Sequence, residues 1–190
     1  MGIGSLTKVK ATRVIGIDCS TNSLAFAVFE GDTPIKCGEV HFKGKTVFDR
    51  LKDAKNKTRE LVKDGTLQAD YIAIESAIMV RSVQTAIDLA YVYGAVIGEL
   101  MASNPEVHKV APISWQSSIG NPNLKKAEKD QIRIDNPGKS ATWYSNEGRK
   151  IRKARTLKIA RQYFEIADGS DNVGDAVGLA LHTTRVLTRR

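Results

Sequence analysis

Val14-Ile15-Gly16-Ile17-Asp18 is the stretch on which the fold turns, a short apolar run closed by a carboxylate. Such a run, bounded by turn chemistry, reads as a buried strand. Working outward, Leu24-Ala25-Phe26-Ala27-Val28-Phe29 is a second run, and Gly31-Asp32-Thr33-Pro34 supplies a turn before a third stretch at 35–42. Three strands joined by short connections predict an antiparallel meander. The period then changes. Val47/Phe48, Leu51, Ala54, Thr58 and Leu61/Val62 recur at three and four, which is a helix face. Thr46 with Asp49 resembles a capping box, and Gly65 suits the stop. Tyr71-Ile72-Ala73-Ile74-Glu75 is another apolar strand ending on an acid. A nearly all-apolar helix from about Ser82 to Met101 and a fifth strand at Val107–Ala111 follow. Three strands, then alternating helix and strand, indicate an α/β fold with a mixed five-stranded sheet flanked by helices.

The chain of 190 residues suits one domain spanning 1–190, with residues 1–12 expected as a flexible terminus. Residues 120–148 are polar, carry Asn-Pro at 121–122 and 136–137, and show no clear period, so a long flexible loop is expected there. Helical period returns from Arg149 through Ala154, Leu157, Ala160 and Phe164, and a last helix runs from about Asp171 to Leu187.

Charge is concentrated. The net charge is +8, and the segment from Lys139 to Arg161 holds eight basic residues (Lys139, Arg149, Lys150, Arg152, Lys153, Arg155, Lys158, Arg161) against one acid, Glu147. A focused basic patch points to a polyanion, nucleic acid before membrane. The patch would contact phosphate, giving affinity and salt dependence rather than sequence readout. Trp143 and Tyr144 beside it suit stacking on unpaired bases, or else anchoring of the loop.

The acids complement the patch. A carboxylate ending a buried strand is costly unless something offsets its charge. Asp18 and Glu75 are two such acids, though each alone could simply cap a turn. In the last helix Asp171 and Asp175 are four apart and share a face, where like charges are mutually unfavourable. Ala176-Val177-Gly178-Leu179-Ala180-Leu181 follows at once, so Asp175 stands where the helix enters the core. Several acids at one end of a sheet match what magnesium wants, oxygen donors with waters retained. Two such ions roughly 4 Å apart serve in-line phosphoryl displacement.

In these motifs, Ile15-Gly16-Ile17-Asp18, Ile72-Ala73-Ile74-Glu75 and Asp171-Asn172-Val173-Gly174-Asp175-Ala176 through His182, the chain resembles the RuvC family of Holliday-junction resolvases, within the RNase H-like superfamily. The likeness spans roughly residues 13–185 and includes Ala111-Pro112 leading to Gly120. It implies an RNase H-like fold, two magnesium ions (with manganese able to substitute), a homodimer, and paired symmetric nicks across four-way junctions in DNA recombination and repair. Asp18, Glu75, Asp171 and Asp175 are the implied catalytic metal ligands. Water would attack the scissile phosphate in line, leaving a 5′-phosphate and a 3′-hydroxyl. The chain departs from the family in three places. Cys19-Ser20 stands where Pro-Gly is usual. The acid three before Asp175 is replaced by Asn172, so either Asp171 takes the ligand role or Asn172 gives a neutral oxygen; charge favours Asp171. The junction-wedging aromatic after the Glu is replaced by Ile78 and Met79, which are apolar wedges of another shape.

Other readings leave different marks. Flap or replication-fork cleavage uses the same acids. A non-catalytic branched-DNA binder keeps the patch without needing clustered acids. The Gly16-to-Ser23 segment also resembles the phosphate loop of actin-like and Hsp70-like ATPases, but no second such loop is visible. No apolar run approaches a membrane span, two cysteines (Cys19, Cys37) cannot build a disulfide framework, and a cytoplasmic, reducing compartment is the expectation. Gly94 and Gly98 permit close packing, including at a dimer interface, and His182 reads as a helix-surface or core residue.

Overall fold

A computed structural model describes residues 11–76, 82–167 and 169–188. The predicted meander is β1 (Arg13–Cys19), β2 (Ser23–Glu30) and β3 (Thr33–His41), followed by α1 (Val47–Lys63), β4 (Tyr71–Glu75), α2 (Val83–Leu100) and β5 (Glu106–Val110). Strand order is β3-β2-β1-β4-β5; β1 runs antiparallel to β2 and parallel to β4, and β4 runs parallel to β5. The capping box forms as expected: Asp49 N–H donates to Thr46 Oγ1 at 3.1 Å and Thr46 N–H to Asp49 Oδ2 at 3.0 Å. Gly65, at φ 81°, lets the chain reverse after α1.

Strand alternation sorts the core into two layers. Ile15, Ile17, Phe26 and Ile72 face α1 and α2, with Val92, Val96 and Leu100 packed over them. Ala25, Ala27, Phe29 and Ala73 face the other way, against α3 (Pro112–Ser118), α5 (Ala141–Ala160) and α6 (Asp171–Thr188). Small residues dominate this second layer, so α6 comes close to the sheet. Closest is the crossing at Gly16. A methyl there would overlap the Ala176 carbonyl oxygen and lie 2.6 Å from the Ala180 amide nitrogen.

Two expectations are corrected. Residues 120–148 are not a structureless loop: they carry α4 (Lys126–Asp135) and the first turns of α5. Helix α4 has only three apolar residues, Ala127, Ile132 and Ile134, none of them fully buried, so a periodicity argument has too little to find. Local hydrogen bonds hold it, Lys125 N–H to Glu128 Oε2 at 2.7 Å and Gln131 Nε2 to Asp135 Oδ1 at 2.7 Å. The start of α5 escapes the same argument because its polar residues are spread around the axis. Second, the segment Val83–Ser103 is long and apolar enough to cross a membrane by length and composition, although no single run suggests it. In the fold it packs Val92, Val96 and Leu100 against the sheet and leaves Val83, Ile87 and Tyr91 exposed.

Candidate active site

The acids are placed by register. Asp18 pairs with Ala25 on β2, and Ala25 pairs with Glu39 on β3. On the other side Ile17 pairs with Ile74, so the next rung sets Asp18 beside Glu75, which itself pairs with Val110. Residues in one rung point to one face. Glu39, Ala25, Asp18 and Glu75 therefore form a single row across four strands, facing α6. The close crossing at Gly16 then brings Asp175, the residue before Ala176, over that row.

Electrostatics match this convergence. Burial, then the charge of Glu75, raises the Asp18 carboxyl to about 6, with Glu39 adding and Lys153 opposing. Burial, then Asp18, raises Asp175 to about 7; Lys153 again opposes, and Glu75 and Asp171 add. Both shifts mean that negative charge is poorly compensated here. The resident counter-charge is Lys153. Lys153, Leu157 and Ala160 recur at four and three, so this lysine lies on the stripe by which α5 packs on its neighbours. Its Nζ stands 3.5 Å from Asp171 Oδ2. Sequence reasoning assigns Lys153 only to the phosphate-binding patch; its place among the acids depends on how α5 lies against α6.

Two further side chains escape a reading of the sequence. Trp115, buried to 1% exposure, donates its indole Nε1–H to Glu75 Oε1 at 2.9 Å, and it has room because Gly178 of α6 carries no Cβ to collide with its ring. Only the Trp shortly after Pro112 hints at this. Glu39 accepts from Asn172 Nδ2 at 2.8 Å. The amide of Asn172 is thus directed at β3, whereas Asp171 joins the electrostatic cluster. Because a buried indole N–H needs an acceptor, Trp115→Phe keeps the ring packing but frees one Glu75 oxygen. It is expected to weaken Mg2+ or Mn2+ affinity by about 10-fold, as loss of a ligand-orienting partner does. Calorimetric metal titration checks this, and unchanged affinity would deny Trp115 any role at Glu75.

The donor set fits a divalent magnesium-type cation: oxygen ligands only, at one end of the sheet, with Lys153 as the counter-charge seen there. Among the described residues no group of three such side chains stands close enough to hold a single ion.

The basic residues divide by exposure. Lys139, Arg149, Lys150, Lys153 and Lys158 are exposed, Lys150 with an ion pair to Glu147 at 3.3 Å. Arg152 instead donates to Asn123 Oδ1 at 2.9 Å and to Gln116, and Arg155 pairs with Glu128. Both hold α5 to its surroundings. Tyr144 anchors the α4–α5 connection, donating to Asn136 O at 2.7 Å, with Trp143 edge-on to its ring. Ile78 and Met79 lie outside the described residues, as do residues 1–10 of the expected terminus. Burial, then the charge of Asp18, pushes the Cys19 thiol up to about 12, which disfavours the thiolate. His182 bonds Ser118 Oγ at 2.7 Å, two turns along α6 from Asp175.

Comparisons with known proteins agree with this architecture. Among solved structures, Thermus thermophilus RuvC in complex with Holliday junction substrate superposes with a TM-score of 0.64 at 13% identity, covering 93% of this chain and 96% of that one. Another Thermus thermophilus RuvC structure gives 0.62 at 14% identity with the same coverage, and the yeast mitochondrial Holliday junction resolvase Ydc2 gives 0.52 at 11%, covering 95% and 80%. At such identities the likeness is one of fold, the mixed five-stranded RNase H-like sheet with flanking helices. A search of curated proteins gives no match. The model of the crossover junction endodeoxyribonuclease RuvC family matches residues 14–134, taking in Asp18 and Glu75 and stopping short of Asp171 and Asp175. By that match, with the sheet order and the strand-end acids it encloses, the chain belongs to the RuvC family.

Proposed function

We propose that the protein is a divalent-metal-dependent, structure-selective DNA endonuclease that resolves four-way junctions by paired nicks as a homodimer. The observation carrying the reading is the row of acids on neighbouring strands, closed over by Asp175 and faced by Lys153. Family membership supports endonuclease chemistry, and the structural neighbours that bind or resolve Holliday junctions support the substrate. Asp18, Glu75 and Asp175, with Asp171 beside them, would hold the ions. Bound there, Mg2+ would polarise the scissile phosphate and provide an activated water. The chain's own groups bind and orient the strand. Lys153, paired with Asp171, supplies positive charge at the edge of the acids, and the acids repel phosphate until a cation neutralises them.

The groove of about 490 Å³ between α4 and α5, lined by Lys129, Arg133, Arg149 and Arg152, gives the DNA arms a second, basic track. For the homodimer, Val83, Ile87, Tyr91, Gly94 and Gly98 recur along one face of α2, and among the described residues nothing lies within 4 Å of a Cβ built at either glycine. Phe48 extends that apolar face, its ring 5.8 Å from Tyr91. Sedimentation as a monomer at micromolar concentration would remove the dimer.

The deciding experiment incubates synthetic four-way junctions, flaps and linear duplex with Mg2+ or EDTA. Junctions should be cut in preference and only with metal; equal cutting of all three, or cutting in EDTA, would overturn the reading. Since Arg152 and Arg155 are engaged within the chain, the phosphate contribution is better read from Arg149, Lys150 and Lys158. Changing these three to Ala should weaken junction binding whatever the sequence and reduce the salt slope by about 2 to 3. An unchanged slope would place these residues off the DNA.

A further inference from the structure

We propose that Glu39 is a positioning residue of the site: by accepting a hydrogen bond from Asn172 it pins the first turn of α6 to β3, and so sets where Asp171 and Asp175 stand relative to Asp18. The inference rests on the reading of the acids as cation ligands.

Three observations converge. Glu39 lies on the same rung as Asp18, two strands away, with Ala25 between them. Alanine is short, so the side chain between the two acids on the sheet surface leaves Glu39 room to reach the start of α6. Second, Asn172 Nδ2 reaches Glu39 Oε1 at 2.8 Å, a contact between residues 133 apart in the chain. At that distance the amide N–H and the acceptor oxygen form an ordinary, directional hydrogen bond. Third, α6 is anchored at Val173 in the core, at Gly174 against Leu157, at Gly16 against β1 and at Gly178 against Trp115, whereas Asp171 and Asn172 lie N-terminal to all four contacts. Asp171 is the acid most dependent on a tie at that end. Its ion pair to Lys153 reaches an exposed side chain on a long, flexible stem.

Glu39 touches no reacting atom in this arrangement. It acts through Asn172 as a hydrogen-bond acceptor, and its charge is secondary. That distinction makes the proposal testable, because Gln in place of Glu keeps an oxygen that can accept from the Asn172 amide, whereas Ala does not.

Mn2+ is titrated calorimetrically into the intact chain without DNA, for the wild type, Glu39→Ala, Glu39→Gln, Asn172→Ala and the double alanine variant. Thermal unfolding in EDTA is followed for each. Glu39→Ala and Asn172→Ala should each lower Mn2+ affinity by about 10-fold. The double variant should lose no more than either single one, since both remove the same bond. Glu39→Gln should stay within about 3-fold of wild type, and the EDTA unfolding temperatures should agree. Glu39→Gln falling as far as Glu39→Ala would overturn the proposal, because charge rather than the clamp would then matter. Additive losses in the double variant, unchanged affinities, or affinity losses tracked by lower EDTA stability would each overturn it too. A wild type that fails to bind Mn2+ would instead overturn the metal reading, and the inference with it.

Discussion

Asp18→Asn is expected to lower metal-dependent junction cleavage by more than about 100-fold, exceeding the loss that accompanies removal of a ligand's partner, while junction binding is retained. It should also make the metal-free protein more stable at pH 7.5. Asp18 and Asp175 hold their protons to about 6 and about 7 when folded, whereas unfolded carboxylates lose them near 3.9. Between those values the folded state binds more protons than the unfolded one, so stability falls as pH rises from about 4 to about 7. Asn at 18 removes one buried charge and relieves Asp175, whose second-largest burden is Asp18. Holding the Asp18 proton roughly two pH units past the point where the unfolded chain releases it costs about 2–3 kcal/mol once that proton is lost, or about 4–12 °C in Tm for a chain of this size. Added Mg2+ should raise the wild-type Tm at pH 7.5 and leave the variant nearly unmoved. Thermal scans at pH 4.5 and 7.5, with and without metal, provide the check. A variant less stable than wild type in EDTA and unable to bind junctions would show Asp18 to be a structural cap.

Gly16→Ala should damage both the fold and the site. The added methyl meets backbone atoms of Ala176 and Ala180, not a flexible side chain that could rotate away. Helix α6 must therefore lift from β1. Overpacking of this kind costs about 3 kcal/mol, which lowers Tm by about 6–12 °C. The same displacement carries Asp175 away from Asp18, so metal affinity should fall further than stability alone accounts for. Equal Tm values for Gly16→Ala and wild type would mean that α6 can yield at β1 without loss, and that the crossing does not set the site.

The acids differ in how far the sequence exposes them. Asp18 and Glu75 can be read because each ends an apolar run, and Asp175 because the helix turns apolar directly after it. Those are local signals, written in consecutive residues. Glu39 gives no such signal. It belongs to a strand of mixed polarity, and only the pairing of β3 to β2 and of β2 to β1 brings it level with Asp18. Trp115 and Lys153 are hidden for the same reason, since each meets the site through a helix packed on α6. Helix α4 is hidden for the opposite one: Ala127, Ile132 and Ile134 are its only apolar residues and none is fully buried, too few for hydrophobic periodicity to register.

By itself, then, the sequence determined the strand and helix order, the α/β class, the acids at the strand ends and the basic segment from Lys139 to Arg161, because burial periodicity and charge spacing are properties of neighbouring residues. Tertiary structure alone decided that Glu39, Asp18 and Glu75 share one row, that Trp115 holds Glu75, and that Arg152 and Arg155 brace α5 while Lys153 faces the acids. Register and helix crossing fix those relations, and both are set by contacts between residues far apart in the chain. The approach of α6 to β1 at Gly16 is the plainest case: a missing side chain sets the distance between two carboxylates, Asp18 and Asp175, that lie 157 residues apart.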